Sequence, residues 1–269
     1  MPEGHTLHRL ARLHQRRYAG APVGVSSPQG RFAAEASILD GRVLVRAEAY
    51  GKHLFHDFGA AGTVHVHLGL YGTFTESALP VADPVGQVRL RLIGRTHWTD
   101  LRGPNRCELL DEQQADAIKA RLGPDPLRGD SEPDQAWLRI SRSRTAIAVL
   151  LMDQSVLAGV GNVYRAEVLF RHGVAPMLPG RSLDHTLWRD IWADLVTLMH
   201  AGVRTGRIDT VAAEHLPEAT GRAPRQDRHG GEVYVYRRAG QPCLVCGTEV
   251  ANGELAGRNL YWCPRCQPA

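Results

Sequence analysis

The chain has 269 residues, 43% of them hydrophobic and 22% charged, and a formal net charge of +4 at neutral pH. That length suffices for two packed domains with a small appendage, and no run of about 18 uncharged apolar residues argues for a membrane span. Arg9, Arg12, Arg16 and Arg17 interrupt any apolar signal core near the N-terminus, so a cytoplasmic protein with no membrane partner is expected.

The chain opens MPEGHTLHRL. Proline suits the first turn of a helix and an acid there suits the helix dipole, which is one reading of Pro2 and Glu3. The other is chemical. Loss of the initiator methionine would leave Pro2 with a free secondary amine, able to attack an aldehyde-like carbon and form an iminium ion. Residues 3–18 bring Leu7, Leu10, Ala11 and Leu13 to or near one face and predict an amphipathic helix. Short strands follow. GRVLVRAEAY leads to GKHLFHDF; Val64, Val66 and Leu68 alternate with His65 and His67; Val88, Leu90 and Leu92 alternate with Arg89 and Arg91. Such alternation predicts half-buried antiparallel strands, so a helix followed by a β-sandwich or barrel is expected over residues 1–125. DEQQADAIKARL looks helical, and LGPDPLRGDSEPD (122–134), with three prolines and two glycines, reads as a linker. Beyond it TAIAVLLMDQ predicts one apolar helix. Leu187, Ile191, Leu195 and Leu198 recur at helical spacing, with Trp188 and Trp192 expected in a core. The expected class is α+β and multidomain, with a helical part over 126–230 and a cysteine-defined module over 231–269.

Cys243, Cys246, Cys263 and Cys266 form C-x2-C, 16 residues, C-x2-C. Such thiols do not normally pair as disulfides in a cytoplasm; on two tight turns they make a closed tetrahedral zinc site with no ligand position left for chemistry. A redox pair of C-x-x-C turns is the alternative. Cys107 is left over and reads as a lone buried thiol. Gly257 and Arg258 sit where a hairpin between the two cysteine pairs would turn, so Arg258 is either an ordinary surface residue or a tip aimed at a groove or phosphate. In DQSVLAGVGNVYRAE the third glycine of a dinucleotide fingerprint is missing and a helix-like segment precedes it. A turn containing Ala158, Gly159 and Gly161, then a helix opened by Asn162, would instead let backbone N–H groups meet a phosphate. Leu70 and Tyr71, between Gly69 and Gly72, are either a strand end folding back on a core or a wedge for insertion between bases. Only Lys52 and Lys119 are lysines among 32 basic residues. Against that bias a lysine marks a place that needs a group able to lose its proton; Lys52 is the candidate, and Lys119 reads as surface. GRAPRQDRHGGEVYVYRR (221–238) sets Arg222, Arg225, Arg228, Arg237 and Arg238 against Asp227 and Glu232. It reads as loop and strand, either a solvated basic surface or a phosphate-binding one.

In this order, MPEG, GKHLF, DQSVLAGVGNVYRAE and a four-cysteine end with GR ahead of YWCPRC resemble the formamidopyrimidine-DNA glycosylase and endonuclease VIII family, over nearly the whole chain. PEGHT and HLGLYG look most like its actinobacterial endonuclease VIII branch. The resemblance implies an N-terminal β-sandwich, a helix–two-turn–helix domain and a zinc-ribbon β-hairpin finger. It also implies one structural Zn2+ and a monomer that takes damaged DNA between its two halves. It implies Pro2 as nucleophile, Glu3 as acid/base partner and Lys52 as an aid to strand cleavage. Asn162 and Arg258 would grip phosphates around a flipped nucleotide, Gly161 would let the backbone approach DNA, and Leu70 and Tyr71 would be the wedge. The implied activity is that of a bifunctional glycosylase and abasic-site lyase of base excision repair, acting on oxidised pyrimidines ahead of purines by β- and then δ-elimination.

Three departures stand out. Thr6 stands where many members have a glutamate, and Gly69 replaces a larger wedge residue. TDLRGPNR keeps Asp100 and Arg102 but lacks the aromatic residue of the formamidopyrimidine branch, which favours pyrimidine substrates. The alternatives are an oxidised-purine glycosylase, a non-enzymatic zinc-ribbon DNA-binding protein, and a tautomerase-like enzyme using Pro2 as a base, which leaves the finger unexplained.

Overall fold

Helix α1 (Gly4–Tyr18) starts with Glu3 at its N-cap in an extended conformation, φ −116° and ψ 176°. Leu7 and Ala11 are buried as the apolar pattern requires, but His5, His8, His14 and Tyr18 share that buried face. A reading by hydrophobicity alone does not find histidines in a core. The structure is a computed structural model that describes residues 2–227 and 231–268. The chain divides into two compact units, Met1–Arg121 and Leu122–Ala269.

In the first unit β1 (Ala21–Pro22) pairs with β3 (Val43–Leu44), and α2 (Ala33–Leu39) lies between them in sequence. One four-stranded antiparallel sheet has the order β10-β6-β5-β4, formed by β4 (Arg46–Tyr50), β5 (His53–Asp57), β6 (Thr63–His67) and β10 (Arg106–Leu110). The other has the order β2-β8-β9-β7, from β2 (Gly24–Ser26), β7 (Thr73–Ala78), β8 (Val88–Ile93) and β9 (His97–Arg102). Leu54, Val64 and Val66 of the first sheet meet Leu90, Leu92 and Leu101 of the second, with Leu7, Ala11 and Tyr18 of α1 in the same core. Each such aliphatic side chain contributes about 1.5–3 kcal/mol by leaving water. The alternating apolar positions thus form the expected sandwich with its leading helix. Helix α3 (Glu112–Lys119) opens on a capping box: Gln114 N donates to Asp111 Oδ1 at 2.7 Å, and Asp111 N to Gln114 Oε1 at 3.0 Å. Lys119 is not simple surface, because its ammonium donates to Glu48 at 2.8 Å and lies 5.1 Å from the centre of the Phe55 ring. Cys107 is half-buried on β10, and burial pushes its thiol up to about 12, which leaves it inert.

The second unit holds α4 (Pro133–Ile140), α5 (Ile147–Leu150), α6 (Asn162–Arg171), α7 (His185–Thr205), α8 (Pro217–Thr220) and the hairpin of β11 (Ala251–Leu255) and β12 (Arg258–Trp262). Helices and hairpin share one apolar core. Trp188 is fully buried in it, Trp192 packs against it, and Ile191, Leu195 and Leu198 follow the predicted spacing. Asp184 caps α7 by accepting from Thr186 N at 2.8 Å, and Gly206 ends it in the left-handed conformation. No helix among the described residues is long and apolar enough to cross a membrane.

Two sequence expectations fail here. TAIAVLLMDQ is helical only over Ile147–Leu150. The Asp153 carboxylate accepts from Ser155 N at 2.9 Å and Ser155 Oγ at 2.8 Å, and this local pairing replaces a helical continuation. The proline- and glycine-rich segment is no loose linker either, since residues 123–127 are buried. Gly123 N donates to Gln154 O at 2.9 Å, and a Cβ on Gly123 would lie 2.4 Å from Val156 O. Glycine is there for close approach rather than for freedom.

In the first unit His14 Nδ1 and His56 Nε2 lie 2.8 Å apart inside the sandwich, with the Phe74 ring edge-on to His14. Burial holds His56 down at about 4 and His14 well below the ordinary value. Both rings are therefore neutral when folded but take up protons below about pH 6.5 when unfolded. Their stabilisation is complete above that pH and is lost as pH falls from about 6.5 towards 4, with His56 alone accounting for up to about 3 kcal/mol. Denaturant unfolding followed by sandwich probes is expected to show this acid loss, and His14→Leu/His56→Leu is expected to reduce it, leaving the share of the other histidines of the unit that burial lowers.

Candidate functional site

In the first unit Pro2 is half-buried and Glu3 is 0% exposed. The Glu3 carbonyl accepts from Thr6 N at 2.9 Å, which fixes the chain's entry into α1. His5 Nε2 lies 3.3 Å from Thr6 Oγ1, and burial, reinforced by the positive charge of Arg9, pushes His5 down to about 4, leaving a neutral ring at the head of the helix. Lys52 is half-buried in the turn between β4 and β5, where Gly51 takes a positive φ of 56°. Leu70 and Tyr71 occupy the turn between β6 and β7 and are 48% and 85% exposed. Two glycines let the chain pack closely at the base of that tip. A Cβ on Gly69, at φ +67°, would lie 2.8 Å from Asn105 Cβ, and one on Gly72 2.3 Å from Leu68 O. The exposure of Leu70 and Tyr71 excludes the reading in which this segment folds back on the core. Asp100 is wholly buried and takes both Arg91 (2.7 and 2.9 Å) and Arg102 (2.8 Å). Arg102 further donates to Val85 O and Thr75 Oγ1, each at 2.7 Å, so it serves the framework of the sheet.

In the second unit Gly161 is the N-cap of α6, with extended backbone, and Asn162 opens the helix as the sequence suggests. Asn162 is buried, and its Nδ2 donates to Asn259 O at 3.0 Å. The guanidinium of Arg165, one turn along and 1% exposed, donates through Nη2 to Asn162 Oδ1 and to Asn259 O, the latter at 2.9 Å. Its Nη1 reaches Ala148 O at 3.4 Å. One buried cation thus fixes which way the Asn162 amide faces and ties the start of α6 to the tip of the hairpin. Arg258 is exposed beside Asn259 as the first residue of β12. The turn itself is Ala256–Gly257, at φ 49° and 70°, one residue earlier than expected. Sequence reading missed Arg165. Its only signal is a basic residue one turn after Asn162 in NVYRAEVLF, where Glu167 is the one other charged residue.

The arginine-rich stretch is largely occupied internally and contains no strand among its described residues; Arg228 lies outside them. Arg222 pairs with Glu232 at 2.5 Å and Arg225 with Asp227 at 2.6 Å. Arg238 is buried, donating to Tyr234 O at 2.5 Å and Pro242 O at 2.9 Å. Only Arg237 of these described arginines is exposed on a left-handed turn, at φ 53°. A count of charges overstates this surface because the carboxylates that meet the cations stand only a few residues away. The fully buried Glu167 of α6 anchors the same segment: it accepts from Tyr234 N (2.7 Å), Val235 N (2.9 Å), Tyr236 N (2.8 Å) and Thr210 Oγ1 (2.6 Å).

The Sγ atoms of Cys243, Cys246, Cys263 and Cys266 all lie within 4.8 Å of one another. A zinc ion with four sulfur ligands at about 2.3 Å needs sulfurs about 3.8 Å apart, so the donor set fits one structural zinc and leaves no open position. Gln267 accepts from Cys263 N at 3.0 Å and donates to Val174 O at 2.8 Å, fastening the module to the helical core. Elemental analysis is expected to give one zinc per chain, and Cys263→Ser to lose it. Strong chelation should collapse the amide NMR signals of residues 251–262, because so small a module has little core of its own.

Comparison with known proteins follows the same division. The pattern of the formamidopyrimidine-DNA glycosylase N-terminal domain matches residues 1–107, and that of the formamidopyrimidine-DNA glycosylase H2TH domain matches 122–213. The zinc finger found in FPG and IleRS matches 240–269. Endonuclease 8 1 of Mycobacterium tuberculosis is 57% identical over 99% of this chain and 100% of its own length. Probable endonuclease 8 2 of Streptomyces coelicolor is 33% identical over 99% and 94%, and the formamidopyrimidine-DNA glycosylase of a Synechococcus strain is 33% identical over 81% and 79%. A solved complex between Lactococcus lactis Fpg and DNA containing an abasic site covers 99% of this chain and 100% of its own, with a TM-score of 0.79. At 20% identity that likeness is one of fold. With a relative 57% identical from end to end, and the sandwich, helical domain and zinc hairpin in order, the chain belongs to the formamidopyrimidine-DNA glycosylase and endonuclease VIII family of DNA glycosylases.

Proposed function

We propose that the protein is a bifunctional DNA glycosylase and abasic-site lyase whose nucleophile is the Pro2 amine, freed by removal of Met1, a residue outside those described. The observation that carries this reading is the wholly buried carboxylate of Glu3, one residue from that nitrogen. A carboxyl removed from water there has a use if it handles protons for a neighbouring reaction.

Amine chemistry supports the choice of nucleophile. An α-amino group has a pKa of about 7.7–8.0 and a lysine about 10.4, so at neutral pH roughly a tenth of the former is unprotonated and well under about 0.1% of the latter. The Pro2 nitrogen attacks C1′ of the damaged nucleotide and the bond from C1′ to the base breaks; Glu3 then protonates the sugar ring oxygen, the bond from C1′ to that oxygen opens, and the proline N–H proton is lost. Because the amine is secondary, the adduct is a cationic iminium that accepts the electrons released when the C2′ proton leaves, and the 3′ phosphate departs by β-elimination. Lys52 assists the second elimination, which releases the 5′ phosphate. Asn162 and Arg258 hold the flanking phosphates: an amide carries two N–H donors, and Asn259 O takes one of those on Asn162. Gly161 lets the backbone near the DNA. Leu70 and Tyr71, exposed on a tip flanked by two tightly packed glycines, fill the gap left by the flipped nucleotide.

Oxidised pyrimidines are the preferred substrates in this reading. The 57% identical relative is named as an endonuclease 8, and the turn after Arg102 carries Gly103 and Pro104 rather than an aromatic side chain. Oxidised purines are the second reading, favoured by the formamidopyrimidine-DNA glycosylases at 31–33% identity.

Incubation with lesion duplexes under borohydride is expected to give a covalent protein–DNA band that Pro2→Ala abolishes. A band surviving in Pro2→Ala but lost in Lys52→Ala would reassign the nucleophile, and intact abasic DNA would leave a non-enzymatic binder. Glu3→Gln should lower base excision by about 100-fold or more while sparing cleavage at a preformed abasic site; equal loss on both substrates would remove Glu3 from the first step. Arg165→Met should weaken DNA binding by about 1–3 kcal/mol with zinc retained, and its effect should not add to that of Arg258→Ala in a double-mutant cycle.

A further inference from the structure

The face of the β10-β6-β5-β4 sheet turned away from the core carries titratable side chains that the chemistry above does not use. Leu54, Val64 and Val66 point into the core, so the alternate residues lie on the opposite face. Cross-strand register puts His53, His67 and Arg106 on one rung and Phe55, His65 and Glu108 on the next.

The hydrogen bonds along this face have a direction. His65 Nδ1 lies 2.9 Å from Glu108 Oε1, and His65 Nε2 lies 2.8 Å from His53 Nδ1. A carboxylate only accepts, so His65 donates from Nδ1 and its Nε2 carries the lone pair. That nitrogen accepts from His53 Nδ1–H, which leaves the other lone pair of the chain on His53 Nε2. His65 is 1% exposed whereas His53 is half-buried, so the relay ends on the ring that solvent can reach.

The surrounding charges are divided between its two ends. At the His53 end, burial first, then His65, His67, Lys52 in the adjoining turn and Arg106 on β10, hold His53 down to about 3. His67 is lowered by burial and by the same groups. At the other end Glu108 also meets Arg106 at 3.5 Å. Beyond it Glu48 on β4 takes Arg46 at 3.1 Å and Lys119 of α3 at 2.8 Å, so those two cations are already matched.

We propose that His53 is a further DNA-phosphate residue, held by His65 and Glu108. When a phosphate comes to the Lys52–Arg106 end of the sheet, one proton from solvent adds to His53 Nε2. The imidazolium donates that proton's hydrogen bond to a phosphate oxygen, while Nδ1–H keeps its bond to His65. Burial first, and then the neighbouring histidines, Lys52 and Arg106, keep the free ring neutral; the direct charge-assisted hydrogen bond to the anion works against all of these, and Glu108 supplies a further countercharge through His65. This rests on the reading of the chain as an enzyme that handles DNA beside Lys52.

The test is the affinity of the full chain for a duplex with a tetrahydrofuran abasic analogue, which forms no imine, measured at constant ionic strength from about pH 5.5 to 8. Uptake of one proton makes wild-type binding tighter as the pH falls through this range, by up to about tenfold per pH unit. His53→Gln should remove that proton from the slope, and Glu108→Gln should shrink it. An unchanged slope in His53→Gln overturns the inference. Failure of the wild type to prefer the abasic duplex to an undamaged one overturns the functional reading instead. If a variant misfolds, NMR of wild-type protein carrying nitrogen-15 histidine decides: His53 Nε2 protonated in the complex and bare in the free protein near pH 6.5 supports the proposal, and a bare Nε2 in both states overturns it.

Discussion

Helix α6 is buried along Asn162–Phe170, yet three of its side chains there, Asn162, Arg165 and Glu167, are strongly polar. Polar groups out of water must find partners, and an ionised one left unmatched costs several kcal/mol. Much of the second unit is arranged to supply those partners. Glu167 draws in three consecutive backbone amides at residues 234–236 and the hydroxyl of Thr210. Arg165 and Asn162 take the carbonyl of Asn259, nearly a hundred residues downstream. An apolar α6 could slide against its neighbours at little cost. With these groups in place only one position of the hairpin leaves every partner satisfied, so the same contacts that hold the fold also set where Arg258 stands.

The zinc centre complements this arrangement. The hairpin carries few apolar side chains, and Leu260 and Tyr261 are its main contribution to the core. Four thiolates on a metal close the module locally, and Gln267 and Asn259 attach it to the Val174 carbonyl just beyond α6 and to the Asn162 side chain at its start. Metal and hydrogen bonds thus divide the work: the first makes the hairpin a rigid body, and the second orients it.

In the sandwich the recurring device is neutral histidine. Seven histidines lie on α1, β5 and β6, and burial keeps His5, His14, His53, His56, His65 and His67 uncharged near neutral pH. A neutral imidazole offers one donor and one acceptor, so two rings can share one hydrogen bond without an acid. His14 and His56 do this inside the core, which leaves His14 Nε2 and His56 Nδ1 without a hydrogen-bond partner among the described residues, while His53 and His65 do it on the outer face with Glu108 at the end. Rings on the first pattern stiffen the domain, and rings on the second stand beside Lys52, the lysine we propose aids strand cleavage.

The sequence by itself determined what depends on local spacing. Period-two alternation gave the strands of the sandwich, period 3.6 gave α1 and α7, and the cysteine spacing gave the metal site, because each pattern is a repeat that one short segment can satisfy. Glycines at 69 and 72 marked a turn there, but only the structure decided that Leu70 and Tyr71 face outward. Tertiary structure alone decided the fate of the charged residues. Arg238 and Arg165 are buried, Arg102 belongs to a buried acid, Lys119 is half-buried against Glu48 and Phe55, and residues 123–127 are packed rather than loose. A polar side chain is settled by the partner it finds: Arg238 finds its carbonyls, and Arg102 its carboxylate, within four residues, whereas Glu48 and Asn259 reach Lys119 and Arg165 from 71 and 94 residues away, and no local pattern says which will happen.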